Sequence, residues 1–162
     1  MNESSDALPQ RTRLRHDTPH WVDDGAWFFV TINCAHRGVD QLTSPAVADG
    51  LLGSLRKYSE QGKWHVLLAL LMPDHLHGVF AFPRTSSPMP AVVRDWKRYT
   101  ARFLGIQWQE GFFDHRLRSD DEVTAKLRYV VNNPVVKGLC QTAEEWPFKL
   151  QATVDGWKMG CG

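Results

Sequence analysis

The chain has 162 residues, 43% hydrophobic and 11% aromatic, which is enough for one domain with a real core and too little for a second. Its 19 basic and 18 acidic residues leave a formal charge of +1, so overall electrostatics do not announce a nucleic-acid binder and any basic footprint must be local. Cys34, Cys140 and Cys161 stand far apart with no C-x-x-C pair, which argues against a disulfide framework and a thiolate zinc site and fits reduced thiols in a cytoplasm.

Residues 1–20 read as a loose basic arm carrying Arg11, Arg13 and Arg15, with no apolar segment of the kind a secretory signal needs. Residues 21–150 read as one continuous domain and 151–162 as a tail. The longest apolar run, Trp64 to Met72, falls far short of the roughly 20 residues of a membrane helix, so no membrane partner is expected and the location expected is cytoplasmic.

"WFFVTINC", residues 27–34, is aromatic and β-branched and predicts a strand. Ser44 and Pro45 suit the N-cap and first position of a helix whose apolar face is Val47, Leu51, Leu55 and Tyr58, ending near Gly62. "WHVLLALLM" and "HLHGVFAF" flank a short "PD" break, the pattern of a β-hairpin of central strands covered by helices. Side chains alternate across a strand, so His75 and His77 project from one face while Leu76 goes to the other. That arrangement builds two adjacent metal ligands, but it also suits two histidines satisfied by backbone groups at a hairpin mouth, and the spacing leaves both open.

Beyond the Pro/Ser loop at 83–90, Val92, Trp96, Tyr99 and Phe103 form the apolar stripe of a second helix stopped by Gly105. Its other side carries Arg94, Lys97, Arg98 and Arg102, either a solvated face or a phosphate-contacting one. "WQEGFFDHRLR" then interleaves aromatics with Arg116 and Arg118, a mixture that suits single-stranded nucleic acid although most such aromatics pack inward.

A third helix over "DDEVTAKLRYVVNNP" has Ser119 or Asp120 as cap, Val123, Leu127, Val130 and Val131 as its stripe, and Pro134 marking its end. Tyr129 and Asn133 fall together on a polar flank beside Glu122 and Lys126. Tyr58 and Tyr99 sit on apolar faces, so Tyr129 is the tyrosine placed to react. A half-buried tyrosine with its hydroxyl in water, and an asparagine capping a helix before proline, are the structural alternatives.

"MPDHLHGV", followed by "YVVNNPVVKGL" and "WPF", resembles the REP-associated tyrosine transposases, single-tyrosine members of the HUH nuclease superfamily, over roughly residues 15 to 150. "WFFVTINCAHRG" resembles the family's first strand, and "WKRYTARFLG" with "WQEGFFDHRLR" its middle section. The resemblance implies an α+β fold, a ferredoxin-like or RRM-like antiparallel sheet with helices packed mainly on one face. It further implies Tyr129 as nucleophile, and His75, His77 and Asn133 as ligands of a divalent metal ion, Mg²⁺ or Mn²⁺. Asn132 is the neighbouring amide that a one-residue shift would substitute.

The expected activity is cleavage and transfer of single-stranded DNA beside REP-like hairpins through a 5′-phosphotyrosine intermediate, by a monomer or homodimer. The ion would act as a Lewis acid, and Lys126 and the ion would favour the phenolate of a hydroxyl whose ordinary pKa is about 10. Arg13, Arg94, Lys97, Arg98, Arg102, Arg116 and Lys126 are the cations expected to meet DNA, assigned from charge pattern. Two other classes share these residues: a non-catalytic RRM-like module that binds single strands, and a metal-dependent hydrolase that uses water.

Overall fold

The computed structural model of the chain describes residues 25–152, so Arg13, the arm and most of the tail lie outside the described residues. In chain order the elements are β1 (Trp27–Asn33), α1 (Pro45–Glu60), β2 (His65–Met72), β3 (His75–Ala81), α2 (Met89–Leu104), β4 (Phe113–Leu117), α3 (Asp120–Val136), a 3₁₀ turn (Ala143–Glu145) and β5 (Lys149–Gln151). The five strands form one sheet in the order β4-β1-β3-β2-β5, with every neighbouring pair antiparallel. From β1 to β4 the succession is β-α-β-β-α-β, the ferredoxin-like unit, so the fold is α+β as expected. None of the described helices is long and apolar enough to cross a membrane.

The sheet is covered on both faces. Phe28, Val30, Ile32, Leu76 and Phe80 meet α1 and α2 on one side. Phe29, Leu68, Leu70 and Val79 meet Val123, Leu127 and Val130 of α3 on the other. Two of the three helices therefore share a face, and α3 lies across the sheet from them. Burial on both faces explains why β2 and β3 read as unbroken apolar runs rather than alternating ones. Gly78 fits this packing because a Cβ there would overlap the Phe80 ring folded across it.

Helix limits follow local chemistry. The Ser119 hydroxyl accepts the Glu122 N–H at the start of α3, and the Glu122 carboxylate accepts the Arg118 N–H in return. Gly105 closes α2 at φ 70°, where a side chain would be strained. Two expectations are corrected. Phe103 is 64% exposed, because α2 packs through Met89, Val92, Val93, Trp96 and Thr100 instead. Thr100 can replace an apolar residue there because its hydroxyl donates to the Trp96 carbonyl and accepts from Trp108 Nε1. Pro134 does not end α3, which runs on to Val136 and closes with the Lys137, Gly138 and Leu139 N–H groups bonded back to Asn133, Val135 and Pro134.

Candidate active site

The strand alternation of β3 places His75, His77 and Val79 on the face that α3 covers. The tight turn before β3 sets Asp74 beside the first of them, with Oδ1 2.7 Å from His75 Nδ1. The other carboxylate oxygen accepts the Gly38 N–H at 2.7 Å and lies 3.4 Å from Arg37 Nε. Burial alone would raise the Asp74 carboxyl, but the Gly38 N–H, the His75 imidazole and Arg37 outweigh it and hold it below the ordinary carboxylate value. An ionised carboxylate only accepts, so His75 Nδ1 carries the hydrogen and Nε2 keeps its lone pair.

That bare nitrogen faces His77 Nε2 at 3.1 Å, while His77 Nδ1 pairs with the Thr31 hydroxyl of β1 at 2.9 Å. Both imidazoles are at least nine-tenths buried. Burial depresses both: for His75 it outweighs the hydrogen bond that the ring donates to Asp74, and His77, helped down by the neighbouring His75, falls to about 3. Both rings are therefore neutral at neutral pH, the form that binds a metal.

Helix α3 brings the remaining pieces. The Tyr129 ring stands 6.0 Å from the His77 ring and 6.2 Å from Phe29, yet Tyr129 is 52% exposed, in keeping with its polar flank. One turn earlier, Lys126 holds its ammonium 4.4 Å from the Phe29 ring centre and 5.0 Å from that of Tyr129. One turn later, Asn133 joins the buried stripe of α3, and its Oδ1 is a buried acceptor without a hydrogen-bond partner. Leaving such an acceptor unpaired costs about 1–3 kcal/mol, and its lone pairs stay available. Asn132 instead faces outward and donates to the Arg128 carbonyl of its own helix.

Among the described residues, no group of three or more His, Cys, Asp and Glu converges to hold an ion. Two neutral imidazoles and an unpaired amide oxygen are nonetheless a nitrogen and oxygen donor set that suits a divalent cation. Asp74 supports such a set from behind, in the carboxylate–histidine arrangement that orients metal-bound imidazoles.

The cations are only partly brought to this place. Lys126 is there, but Arg94, Arg98 and Arg102 stand exposed on α2, in the layer across the sheet. Asp95 lies 3.8 Å from Arg94 and 3.9 Å from Arg98. Lys97 departs from expectation, because its half-buried ammonium donates to the Gln109 and Gly111 carbonyls at 2.6 Å each and holds that turn together. Arg116 pairs opposite Phe28 across β1 and β4, so it faces the α1 and α2 side rather than the histidines.

Sequence reasoning passed over Thr31, Arg37, Asp74 and Lys137. Asp74 read only as a turn former, and Thr31 is marked solely by the register that sets it opposite His77. Arg37 donates to the Asn33 side chain at 2.6 Å and, with Lys137 at the end of α3, lines a cavity of about 310 Å³ against His75.

No family model matches the chain. A Haemophilus influenzae protein provisionally named a REP-associated tyrosine transposase is 22% identical over 141 residues, 76% of this chain and 78% of that protein. A solved structure described as a REP-associated tyrosine transposase bound to a REP hairpin matches with a TM-score of 0.69 at 22% identity, over 82% of this chain and 81% of that one. A Deinococcus radiodurans structure described provisionally as a transposase matches with a TM-score of 0.48 at 19% identity, over 72% of this chain and 95% of that one. By sequence across 76% of its length the chain resembles a REP-associated tyrosine transposase, and it shares the fold of a solved structure described by that name.

Proposed function

We propose that the protein is a metal-dependent single-stranded DNA endonuclease and strand transferase, acting beside REP-like hairpins through a 5′-phosphotyrosine intermediate. The observation that carries this reading is the approach of an exposed Tyr129 ring to 6.0 Å from the ring of His77, one of a buried, neutral histidine pair, with an unpaired amide oxygen one helical turn along from Tyr129. The names of the relatives point to the same chemistry and to hairpin DNA as the partner.

His75, His77 and Asn133 would hold the ion, Mg²⁺ or Mn²⁺, which supplies Lewis-acid polarisation of the scissile phosphate when bound. Asp74 fixes the His75 ring and its tautomer, and Thr31 fixes His77, so both nitrogens are set before substrate arrives. Tyr129 presents its hydroxyl from a half-exposed position that a single strand can reach. Lys126 adds positive charge where the phosphate's negative charge must be accommodated. The bond from Tyr129 Oη to phosphorus forms as the bond to the 3′-oxygen breaks, leaving a phosphotyrosine and a free 3′-hydroxyl. The phosphodiester energy is kept in the adduct, so a hydroxyl can reverse the step without ATP and strands can be exchanged.

The test incubates the protein with labelled single-stranded DNA bearing a REP hairpin and Mn²⁺, then looks for a protein–DNA species that survives denaturation. Wild type should form it, and Tyr129→Phe and the double variant His75→Ala, His77→Ala should not, with Tyr129→Phe retaining DNA affinity. Continued cutting by Tyr129→Phe would identify a hydrolase that uses water. Metal-dependent cutting by neither protein would leave a binding module.

A further inference from the structure

The cavity beyond His75 has no role in the steps above. Its volume is about 310 Å³, and Arg37, Pro73, Asp74, His75, Lys137 and Leu139 contribute to its lining. That is the low end of the range for ligand pockets, room for a single nucleoside rather than a duplex. Tyr129, by contrast, packs its ring on His77 and Phe29. The phenol thus meets the histidine pair at His77, and the cavity meets it at His75. In an in-line displacement at phosphorus the entering and leaving oxygens lie on opposite sides of the reacting centre.

We infer that this cavity receives the deoxynucleoside whose 3′-oxygen is displaced, the last residue of the released 3′-hydroxyl strand. The inference rests on Tyr129 being the nucleophile. As the Tyr129 oxygen bonds to phosphorus and its proton passes to solvent, the P–O3′ bond breaks and the 3′-oxygen takes up a proton from solvent. Leu139, 44% exposed, and Pro73 offer apolar surface to a base or sugar. Arg37 offsets the Asp74 carboxylate in this lining and Lys137 adds a further positive charge beside His75, suited to the phosphate on the 5′ side of that nucleoside. A 3′-hydroxyl held here stays within reach of the phosphotyrosine, so rejoining is effectively intramolecular and favoured over loss of the strand.

The test uses hairpin DNA whose cleaved bond has been located by sizing the released fragment, and substrates with an abasic site on its 5′ or its 3′ side. In wild type the 5′ abasic site should slow adduct formation about tenfold, the loss of one nucleoside's apolar contacts. Leu139→Trp, which fills the cavity, should slow reaction of intact DNA about tenfold, show no further loss with the 5′ abasic site, and respond like wild type to the 3′ abasic site. Mn²⁺ affinity by calorimetry should stay at the wild-type value, showing a folded site. Lys137→Gln is the second probe, because only its backbone closes α3. It should weaken equilibrium binding of the isolated 3′-hydroxyl strand severalfold. Equal sensitivity of Leu139→Trp and wild type to the 5′ abasic site, or unaltered strand binding by Lys137→Gln, overturns the cavity assignment alone. Failure of wild type to form an adduct on any substrate overturns the Tyr129 reading and this inference with it.

Discussion

The two faces of the sheet are built from the same strands and differ in what they bury. Toward α1 and α2, Trp64, Trp96, Phe80 and their neighbours are closed up, and each indole N–H is satisfied: Trp96 by Ser54 and Trp64 by the Leu55 carbonyl. Toward α3, the apolar layer gives way at its end to the half-buried Thr31 and the buried His75, His77 and Asn133, polar groups whose bonds are incomplete at Asn133 Oδ1. A core gains nothing from an unpaired amide oxygen. The first face is packed mainly with apolar side chains, whereas the second ends in a group of polar side chains around two imidazoles.

The contrast can be broken most sharply at Tyr129. Tyr129→Phe should lower covalent adduct formation by more than about 10³-fold while moving unfolding free energy by no more than about 0.5 kcal/mol, as gel assay and urea titration would show. A large stability loss would mean the phenol is structural. Trp96→Ala should do the reverse across the sheet, costing about 3–5 kcal/mol through the cavity left by a fully buried indole, with no specific loss of Mn²⁺ affinity while the protein stays folded.

pH sharpens the same difference. Burial depresses the His75 and His77 imidazoles, His77 from 6.5 to about 3, so between those values the unfolded chain binds protons that the folded chain refuses. Stability of the metal-free protein is thus complete above about pH 6.5 and falls as pH drops toward 3, by up to about 1.4 kcal/mol per pH unit from His77, with His75 acting in the same direction. Urea midpoints at pH 7 and pH 5 should differ clearly, and His77→Gln should flatten the dependence; an unchanged slope would argue that the ring is not buried neutral. A smaller effect is expected at the start of α3, where Ser119→Ala should cost about 1 kcal/mol by removing the acceptor of the Glu122 N–H.

The parts of the molecule legible in sequence are those set by period and by turn chemistry. Strand alternation places His75 and His77 on one side, and the i+4 spacing of α3 places Asn133 one turn from Tyr129. The side of the sheet a helix covers has no such local signal, and so the distance of Arg94, Arg98 and Arg102 from the histidines could not be read from charge pattern. The same holds for Arg116, whose face of the sheet is set by its register with Phe28, while Lys97 escapes for a related reason: a cation in a string looks the same whether its partner is a phosphate or a carbonyl brought near by folding. Asp74 was hidden differently, since a Pro-Asp turn accounts for itself locally and its bond to His75 emerges only once Gly38 and Arg37 orient the carboxylate. Phe103 shows the limit of a four-residue count, because Thr100 could enter the core once Trp108 supplied its hydroxyl with a partner.

The central claim, that Tyr129 and the histidine pair act on one phosphodiester, is tested most directly by digesting the DNA-linked protein with trypsin and sequencing the modified peptide by mass spectrometry. Cleavage after Arg128 and Lys137 isolates Tyr129 as the tyrosine of a nine-residue peptide that also carries Asn133. The account predicts a nucleotide mass on Tyr129, formed only with Mg²⁺ or Mn²⁺ and lost in the His75→Ala, His77→Ala variant. A nucleotide attached to any other residue, or cleaved DNA with no modified peptide, would contradict it.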